Sequence, residues 1–424
     1  MNHRDKSSKE PSFTGSSIVV DKCQVCGEPD LEPILFLGYL PPVNRMSQVG
    51  ESPNEQPSYP AQLLNCRNCH LVQLGLIVNP QVLFPPEYPY TSSTTNILRE
   101  NFAELYRECR TVIELDGNDL VVDIGSNDGN LLSNFKDRHR VLGITPEEIG
   151  KLAIARGIPT IIDYLTERSA AQVLAGHGKA RLVTATNVFA HIDNVNDVVR
   201  LIISLLEHDG IFVSESHYLL PLIRTLQYDT IYHEHLRYYS LSSIKYLLEK
   251  NGLEVVHAKP IPTHGGSIRV YAARKGVYPV KPTVEALLSE EMPLLRNSNS
   301  LLSFKERVVL SKLMLYQLLF DIKKRGGVIY GISAPSRAST LINYVGLDDG
   351  IIDCVLEIQG SHKIGKYVPG TRIPILDESI LFQKQPDYAL LLSWHIADEL
   401  MPKLKAKGYK GKFICPLPSP HIVE

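Results

Sequence analysis

Several features are missing from the sequence, and each absence excludes a class of protein. No stretch of the 424 residues reaches the roughly 18 consecutive apolar residues that a membrane-spanning helix needs. The opening MNHRDKSSKEPSFTGSS has no apolar h-region, which predicts no secretory signal peptide and a cytosolic chain. Neither sign of charge dominates: 44 Lys and Arg stand against 46 Asp and Glu, a formal net charge of −2. Duplex nucleic acid is therefore not expected as the main partner, because phosphate binding is driven by clustered Lys and Arg. Seven cysteines are an odd count, a poor fit to a fully paired disulfide framework. In a reducing compartment they are free thiols or metal ligands. The 44% hydrophobic and 21% charged composition excludes a wholly disordered chain, a collagen-like repeat and a coiled coil.

The organisation changes along the chain. Residues 1–15 have the Ser, Lys and Asp content of a disordered tail. Residues 16–85 hold four of the seven cysteines and many prolines, with little helical periodicity, and read as a small loop-rich unit. Beyond residue 94, short apolar runs alternate with helical patterns: DLVVDIG, a helix over 129–137, RVLGI, a helix over 147–156, TIID, a helix over 166–175, RLVTATN, a helix over 195–207, and IFVSES. Alternation of this kind predicts a parallel sheet with helices on both faces. Ser240 is a good N-cap for a helix over 241–251, with LEVVHAKP and SIRVYAAR as further strands. Residues 283–325 form a long, mostly helical stretch, and a second alternating block follows, from VIYGIS to KFICPLP. Two separate doubly wound α/β domains are predicted.

Two motifs stand out for the chemistry their residues permit. Cys23-x-x-Cys26 and Cys66-x-x-Cys69 supply four thiolates, the donor set of a closed, structural zinc site. VVDIGSNDGN (121–130) places an acidic residue, Asp123, at a strand end, then a turn of Gly125, Ser126, Asn127, Asp128 and Gly129 before a helix. It is not GxGxxG, and its two carboxylates would repel a pyrophosphate. The cationic, phosphate-free body of S-adenosylmethionine tolerates them. ATNVFAHI, with Asn187 and His191, falls where the fourth strand of such a sheet ends, on the ligand side.

YHEHLRYYS (232–240) sets His233 and His235 around Glu234, beside Tyr232. A Glu–His pair suits a general base, because the carboxylate orients an imidazole that titrates near neutrality. The i, i+2 spacing on an extended segment would put both histidines within reach of one site. YPYTSS, with Tyr88 and Tyr90, and THGGSIRVY, with His264, Gly266, Ser267 and Arg269, carry weight only jointly with these motifs.

Together, the double CxxC ending in CHLVQL, YPYTSS, VVDIGSNDGN, TNVFAHI, DTIYHEHLRYYS, HGGSIRVY, YVPGTRIPI and LLLSWHIADE resemble one family along nearly the whole chain. It is the sugar C-methyltransferases that act on nucleotide-linked 4-keto-deoxyhexoses. The resemblance implies a zinc-binding domain over 16–85, an S-adenosylmethionine-dependent methyltransferase domain over 86–280, and a Rossmann-like nucleotide-sugar-binding domain over 281–424. It implies His235 as the base that removes the C3 proton and Glu234 as its orienter, with His233 as the alternative base. Tyr232, with Tyr88 or Tyr90, would hydrogen-bond the ketone or the sugar. Asp123, Gly125, Ser126, Asn127, Asp128, Gly129, Thr145, Asn187 and His191 would surround the cofactor. His264, Gly266 and Ser267 would contact substrate, and Arg269, Ser336 and Arg337 would take its diphosphate. A monomer or weak dimer is expected.

The chain departs from the family in two places. Thr145 stands where an acidic residue usually holds the ribose hydroxyls, which leaves either Glu147 as a substitute or weaker hydroxyl contacts; SAPSRAST lacks the usual Lys-Gly pair. Two other readings use the same residues: a non-catalytic zinc and nucleotide-sugar binding relative, and a methyltransferase for another small molecule, a protein or RNA. The complete YHEH segment argues against the first, and the neutral charge against RNA.

Overall fold

The structure, a computed structural model, describes residues 16–84 and 96–424. The YPYTSS segment with Tyr88 and Tyr90 lies outside the described residues, as does the predicted tail. Among those described, no helix is long and apolar enough to cross a membrane.

The N-terminal unit is built from five strands: β1 (Ser17–Val19), β2 (Leu31–Leu40), β3 (Tyr59–Cys66), β4 (Val72–Leu74) and β5 (Leu76–Val78). β1 pairs with β5, while β2, β3 and β4 form an antiparallel meander. Along β3 the odd-numbered positions Tyr59, Ala61 and Leu63 are buried, the period-2 pattern of a sheet with one face on a core.

The central sheet has β6 (Leu120–Ile124), β7 (Arg140–Thr145), β8 (Thr160–Ile162), β9 (Ala180–Thr186), β10 (Leu206–His217), β12 (Leu253–Ile261) and β13 (Ser267–Arg274). Their order is β12-β13-β10-β9-β6-β7-β8, all parallel except β13, which runs antiparallel to both of its neighbours. β6 is buried along its whole length, the near-continuous apolar run of a strand covered on both faces. Strand order reverses between β6 and β9, so the ends of these strands border the crevice where doubly wound sheets bind ligands. The strand between β10 and β12 in sequence, β11 (Arg237–Tyr238), leaves this sheet and pairs with β4 of the N-terminal unit.

The C-terminal sheet comprises β14 (Ile329–Ile332), β15 (Cys354–Glu357), β16 (Ile375–Asp377), β17 (Tyr388–Leu391), β18 (Lys412–Cys415) and β19 (His421–Val423). Its order is β16-β15-β14-β17-β18-β19, parallel apart from β19. The two predicted α/β sheets are thus present.

Two predicted helices differ. The stretch 129–137 is a set of turns around a 3-10 segment, Leu132–Asn134. Asn127 and Gly129 hold left-handed backbone, and the Asn130 carbonyl accepts from the Ser133 hydroxyl and the Asn134 amide. Side chains that bond the local backbone compete with a helical ladder. The stretch 283–325 is two helices, Pro282–Arg296 and Ser298–Lys324, separated at Asn297 (ψ 103°). The second packs Leu301, Phe304, Val308, Leu315 and Leu319 into a core shared with β2, β3 and the C-terminal sheet.

Candidate active site and metal centre

The metal site is assembled by two knuckles of the same local geometry. The Gly27 N–H donates to the Cys23 carbonyl and the His70 N–H to the Cys66 carbonyl, both at 2.9 Å. Gly27 (φ 85°) and His70 (φ 57°) both take the left-handed conformation that turns the chain after the second cysteine. The four Sγ atoms lie within 4.8 Å of one another, with Cys23–Cys69 at 3.5 Å and Cys26–Cys66 at 3.4 Å. Tetrahedral Zn–S bonds of about 2.3 Å put sulfurs roughly 3.8 Å apart, so the thiolates fit one Zn²⁺ with no open position. Lys250 Nζ caps the first knuckle from the central domain, donating to the Val25 and Cys26 carbonyls.

The cofactor turn follows β6. Asp123 is buried and accepts from the Thr184 hydroxyl at 2.7 Å, tying β6 to β9, and burial pushes its carboxyl up to about 7. A Cβ on Gly125 would lie 2.4 Å from Val188 Cγ2, and one on Gly129 would lie 2.8 Å from Ile158 Cδ1. Asn127 (φ 51°) and Asn187 (φ 57°) carry side chains in left-handed backbone, a conformation that costs energy and clusters at ligand sites. Ser126 Oγ, Asn187 Oδ1 and His191 Nδ1 are buried with no hydrogen-bond partner. Three such atoms gathered at one turn leave donors and acceptors for a ligand to complete. The Thr145 hydroxyl donates to Glu147 at 2.9 Å and so holds a carboxylate at the end of β7, where ribose hydroxyls are expected. These residues fit S-adenosylmethionine. Asp128 plays a different part: it is fully buried and its carboxylate pairs with Arg156, so it anchors the turn.

Beside this turn lies a pocket of histidines from four separate elements. The His235 ring centroid is 5.0 Å from both His191 and His217, and His217 is 5.3 Å from His264. His235 Nδ1 donates to the Thr230 carbonyl at 2.9 Å, and its Nε2 accepts from the Tyr232 hydroxyl at 3.1 Å. The carbonyl cannot donate, so Nδ1 carries the proton and Nε2 keeps its lone pair. Burial holds His235 and His217 well below the ordinary imidazole range, and His191 and His264 down to about 4. All four are therefore neutral at pH 7.

Several expected placements are corrected. Residues 232–235 form a turn, not an extended segment, and the two histidines point apart. His233 faces the N-terminal unit, where its Nε2 donates to the Pro60 carbonyl and its ring meets Tyr59. Glu234 accepts from Asn44 at 2.6 Å; the group that orients His235 is the Thr230 carbonyl. Nor does the His235 imidazole titrate near neutrality: burial lowers it well below its ordinary range. Arg269 is fully buried, with its guanidinium spent on Glu104, Glu108, Glu215 and Asn101, and cannot receive a diphosphate. Gly266 and Ser267 build a turn: a Cβ on Gly266 would strike Pro221, and the Ser267 hydroxyl donates to the Thr263 carbonyl. That turn presents His264, whose Nε2 accepts from Asn187 at 3.4 Å.

Sequence reasoning missed four residues around the pocket. His217 ends β10, and His395 follows Trp394 in a turn packed against Thr263–Gly265. Asp229 binds Arg337 through two bonds, at 2.7 and 2.9 Å, and also accepts from Trp394 Nε1 at 2.7 Å. Arg337 thereby locks the C-terminal sheet to the segment that carries His235. Lys363 Nζ reaches the Ala334 carbonyl at 2.6 Å, beside the start of the Ser336–Val345 helix. Only position at a strand end marked His217 in advance, and nothing local marked Lys363.

Comparisons with known proteins divide the chain in the same order. A zinc binding domain family matches residues 23–84, a methyltransferase domain family 97–258, and a C-methyltransferase C-terminal domain family 262–418. The C-methyltransferase NovU of Streptomyces niveus is 32% identical over 413 residues, covering 96% of this chain and 97% of that protein. Among solved structures, magnesium protoporphyrin IX methyltransferase from Synechocystis PCC 6803, with bound S-adenosylmethionine, is 16% identical at a TM-score of 0.32. It covers 42% of this chain and 79% of its own. An S-adenosylmethionine-dependent methyltransferase from Clostridium acetobutylicum is 10% identical at a TM-score of 0.31, covering 43% and 94%.

Proposed function

The chain belongs to the S-adenosylmethionine-dependent sugar C-methyltransferase family, and on that premise we propose that it methylates C3 of a nucleotide-linked 4-keto-deoxyhexose in cytoplasmic deoxysugar biosynthesis. The observation that carries this reading is the tautomer of His235: a neutral, buried imidazole whose Nε2 lone pair faces a tyrosine hydroxyl. A carbon acid needs such a base, and the C4 ketone makes C3 that acid. His235 Nε2 takes the C3 proton. Tyr232 turns its O–H from Nε2 to the C4 oxygen, where the enolate charge collects, and the new imidazolium stands near that charge. S-adenosylmethionine supplies the methyl group that C3 accepts. Gly125, Ser126, Asn127 and Gly129 hold it at the turn, Glu147 takes its ribose hydroxyls in place of an acid at Thr145, and Asn187 and His191 line the open side. The zinc held by Cys23, Cys26, Cys66 and Cys69 is structural and takes no part in the chemistry.

In this reading the 16–85 unit buttresses the His235 segment, the 86–280 domain holds the methyl donor, and the 281–424 domain receives the nucleotide. Ser336, at the start of the Ser336–Val345 helix, binds the diphosphate together with Lys363, while Arg337, held by Asp229, positions that helix.

The test is deuterium washout at C3 of the keto-sugar nucleotide in D₂O without the methyl donor. Wild type exchanges, and His235→Gln loses exchange and methylation together by roughly 10²–10⁴-fold. Full exchange in His235→Gln would remove His235 as the base. Mass spectrometry on dTDP-, GDP- and CDP-linked 4-keto-6-deoxyhexoses identifies the nucleotide by the gain of one methyl group.

A further inference from the structure

The Ser298–Lys324 helix is apolar on two sides, and the described residues cover only one of them. Its inner stripe is buried in the shared core, yet Leu302, Val309, Leu310, Leu313, Tyr316 and Phe320 on the outer side are between 40% and 57% exposed. A helix that is hydrophobic around its circumference is normally covered around its circumference. Leu302, Val309, Leu313, Tyr316 and Phe320 follow steps of seven, four, three and four residues, the spacing of a seam that faces another helix.

We propose that this face pairs with the same face of a second copy of the chain, as an antiparallel helix pair about a two-fold axis. A two-fold interface must be self-complementary, and this face is. In the register that overlaps the two helices end to end, Ser298 of one copy lies opposite Lys324 of the other. That same register sets Leu302 opposite Phe320 and Val309 opposite Leu313, so each exposed apolar seam residue meets another. The one charged seam position, Glu306, falls opposite Tyr316, whose hydroxyl can donate to the carboxylate. Lys305 falls opposite Gln317, one turn from Asp321 on the rim of a shallow groove lined by Leu313, Met314, Leu318 and Pro420. A parallel pair would instead set Glu306 against Glu306. The residues before Ser16 carry a single aromatic, Phe13, too little apolar surface to match this face.

The size of the face sets the strength of the pairing. The helix is about 40 Å long and about 10 Å across, so one side offers on the order of 400 Å² before its flanks are counted. A standard interface takes about 800 Å² per partner. An interface of about half the standard size makes the pairing weak and concentration-dependent.

Sedimentation equilibrium of the full zinc-loaded chain between about 1 and 100 µM tests the proposal. The mass is expected to rise from 47.4 kDa to twice that value, and Leu313→Glu is expected to hold it at the monomer value with an unchanged melting temperature. A wild type that stays monomeric at 100 µM overturns the proposal, and so does a dimer that survives Leu313→Glu. Orientation is read by oxidative cross-linking of two single variants, Val309→Cys and Leu313→Cys. Their mixture cross-links at least tenfold more than either alone if the pair is antiparallel; equal or greater cross-linking of each variant to itself overturns it. If Leu313→Glu fails to fold, Leu310→Lys on the same face replaces it, with the same expected loss of dimer.

Discussion

The zinc centre and the histidine pocket are both clusters of buried, metal-capable side chains, yet they are built in opposite ways. The four cysteines come from two local turns of the same shape, and their ligand atoms converge within 4.8 Å. The pocket histidines come from the ends of β9 and β10, the 232–235 turn and the turn before β13, and they meet ring against ring rather than around a point. Among the described residues, only the cysteines form a group able to hold a metal ion. Convergence suits a permanent ligand of fixed geometry. A pocket of neutral imidazoles, with His235 oriented by the Thr230 carbonyl, suits a reaction in which one proton must move. In the first cluster local sequence does the positioning; in the second the topology does.

The sharpest way to break this comparison is to strip the metal. Structural zinc contributes on the order of 10 kcal/mol to folding, so chelation or Cys66→Ser is expected to unfold residues 16–84. Zinc content and amide exchange of that segment check this, and native-like protection without zinc would end the structural assignment. The same treatment should also abolish methyl transfer, because β4 and Pro60 support the His235 segment.

Acid tests the buried histidines, two in the pocket and His233 behind it. Burial lowers His191, His233 and His264 from an ordinary value near 6.5 to about 4. Each takes up a proton on unfolding between those limits, so its contribution is complete above pH 6.5 and is lost as pH falls toward 4. At pH 5 the loss is about 2 kcal/mol per histidine. Denaturant unfolding at pH 7 and pH 5, with zinc content verified at both, measures it; equal stability at the two values would contradict the burial. Catalysis follows the same sign, with His235 in its neutral, active form throughout the range above pH 6.5.

The two histidines of the YHEH segment sharpen the contrast. His233→Gln removes a bond to the Pro60 carbonyl and is expected to cost about 1–2 kcal/mol of stability while kcat changes by less than threefold. A larger loss of kcat than in His235→Gln would reverse their roles. Tyr232→Phe is expected to cost roughly tenfold in kcat, far less than His235→Gln, at unchanged KM for the methyl donor, with Nε2 left free of its hydroxyl partner. An unchanged kcat would show that the hydroxyl neither aligns the base nor meets the ketone.

Legibility in the sequence followed this division. The cysteine spacing was readable because a CxxC turn places its own ligands, and the βα alternation was readable because each strand announces itself as an apolar run. The chemistry of YHEH was readable only as composition: adjacency suggested that Glu234 orients His235, whereas the turn sends Glu234 to Asn44 and brings the Thr230 carbonyl to the ring. Arg269 misled for a related reason. An arginine near a Gly-Gly pair suits a phosphate, but β13 lies between β10 and β12, and the side chain is committed to carboxylates inside the fold. His217, His395 and Lys363 could not be connected to the site before the strand order was known.

The two-residue strand β11 has a consequence for how the chain is made. The last zinc ligand, Cys69, and the edge strand β4 leave the ribosome well before Arg237 and Tyr238, the residues that pair with that edge. At about 5–20 residues per second, the nascent N-terminal unit spends on the order of ten to thirty seconds with an open sheet edge. An edge left unpaired recruits other strands. A fragment ending before residue 237 would keep that edge for its whole lifetime, however well it bound zinc.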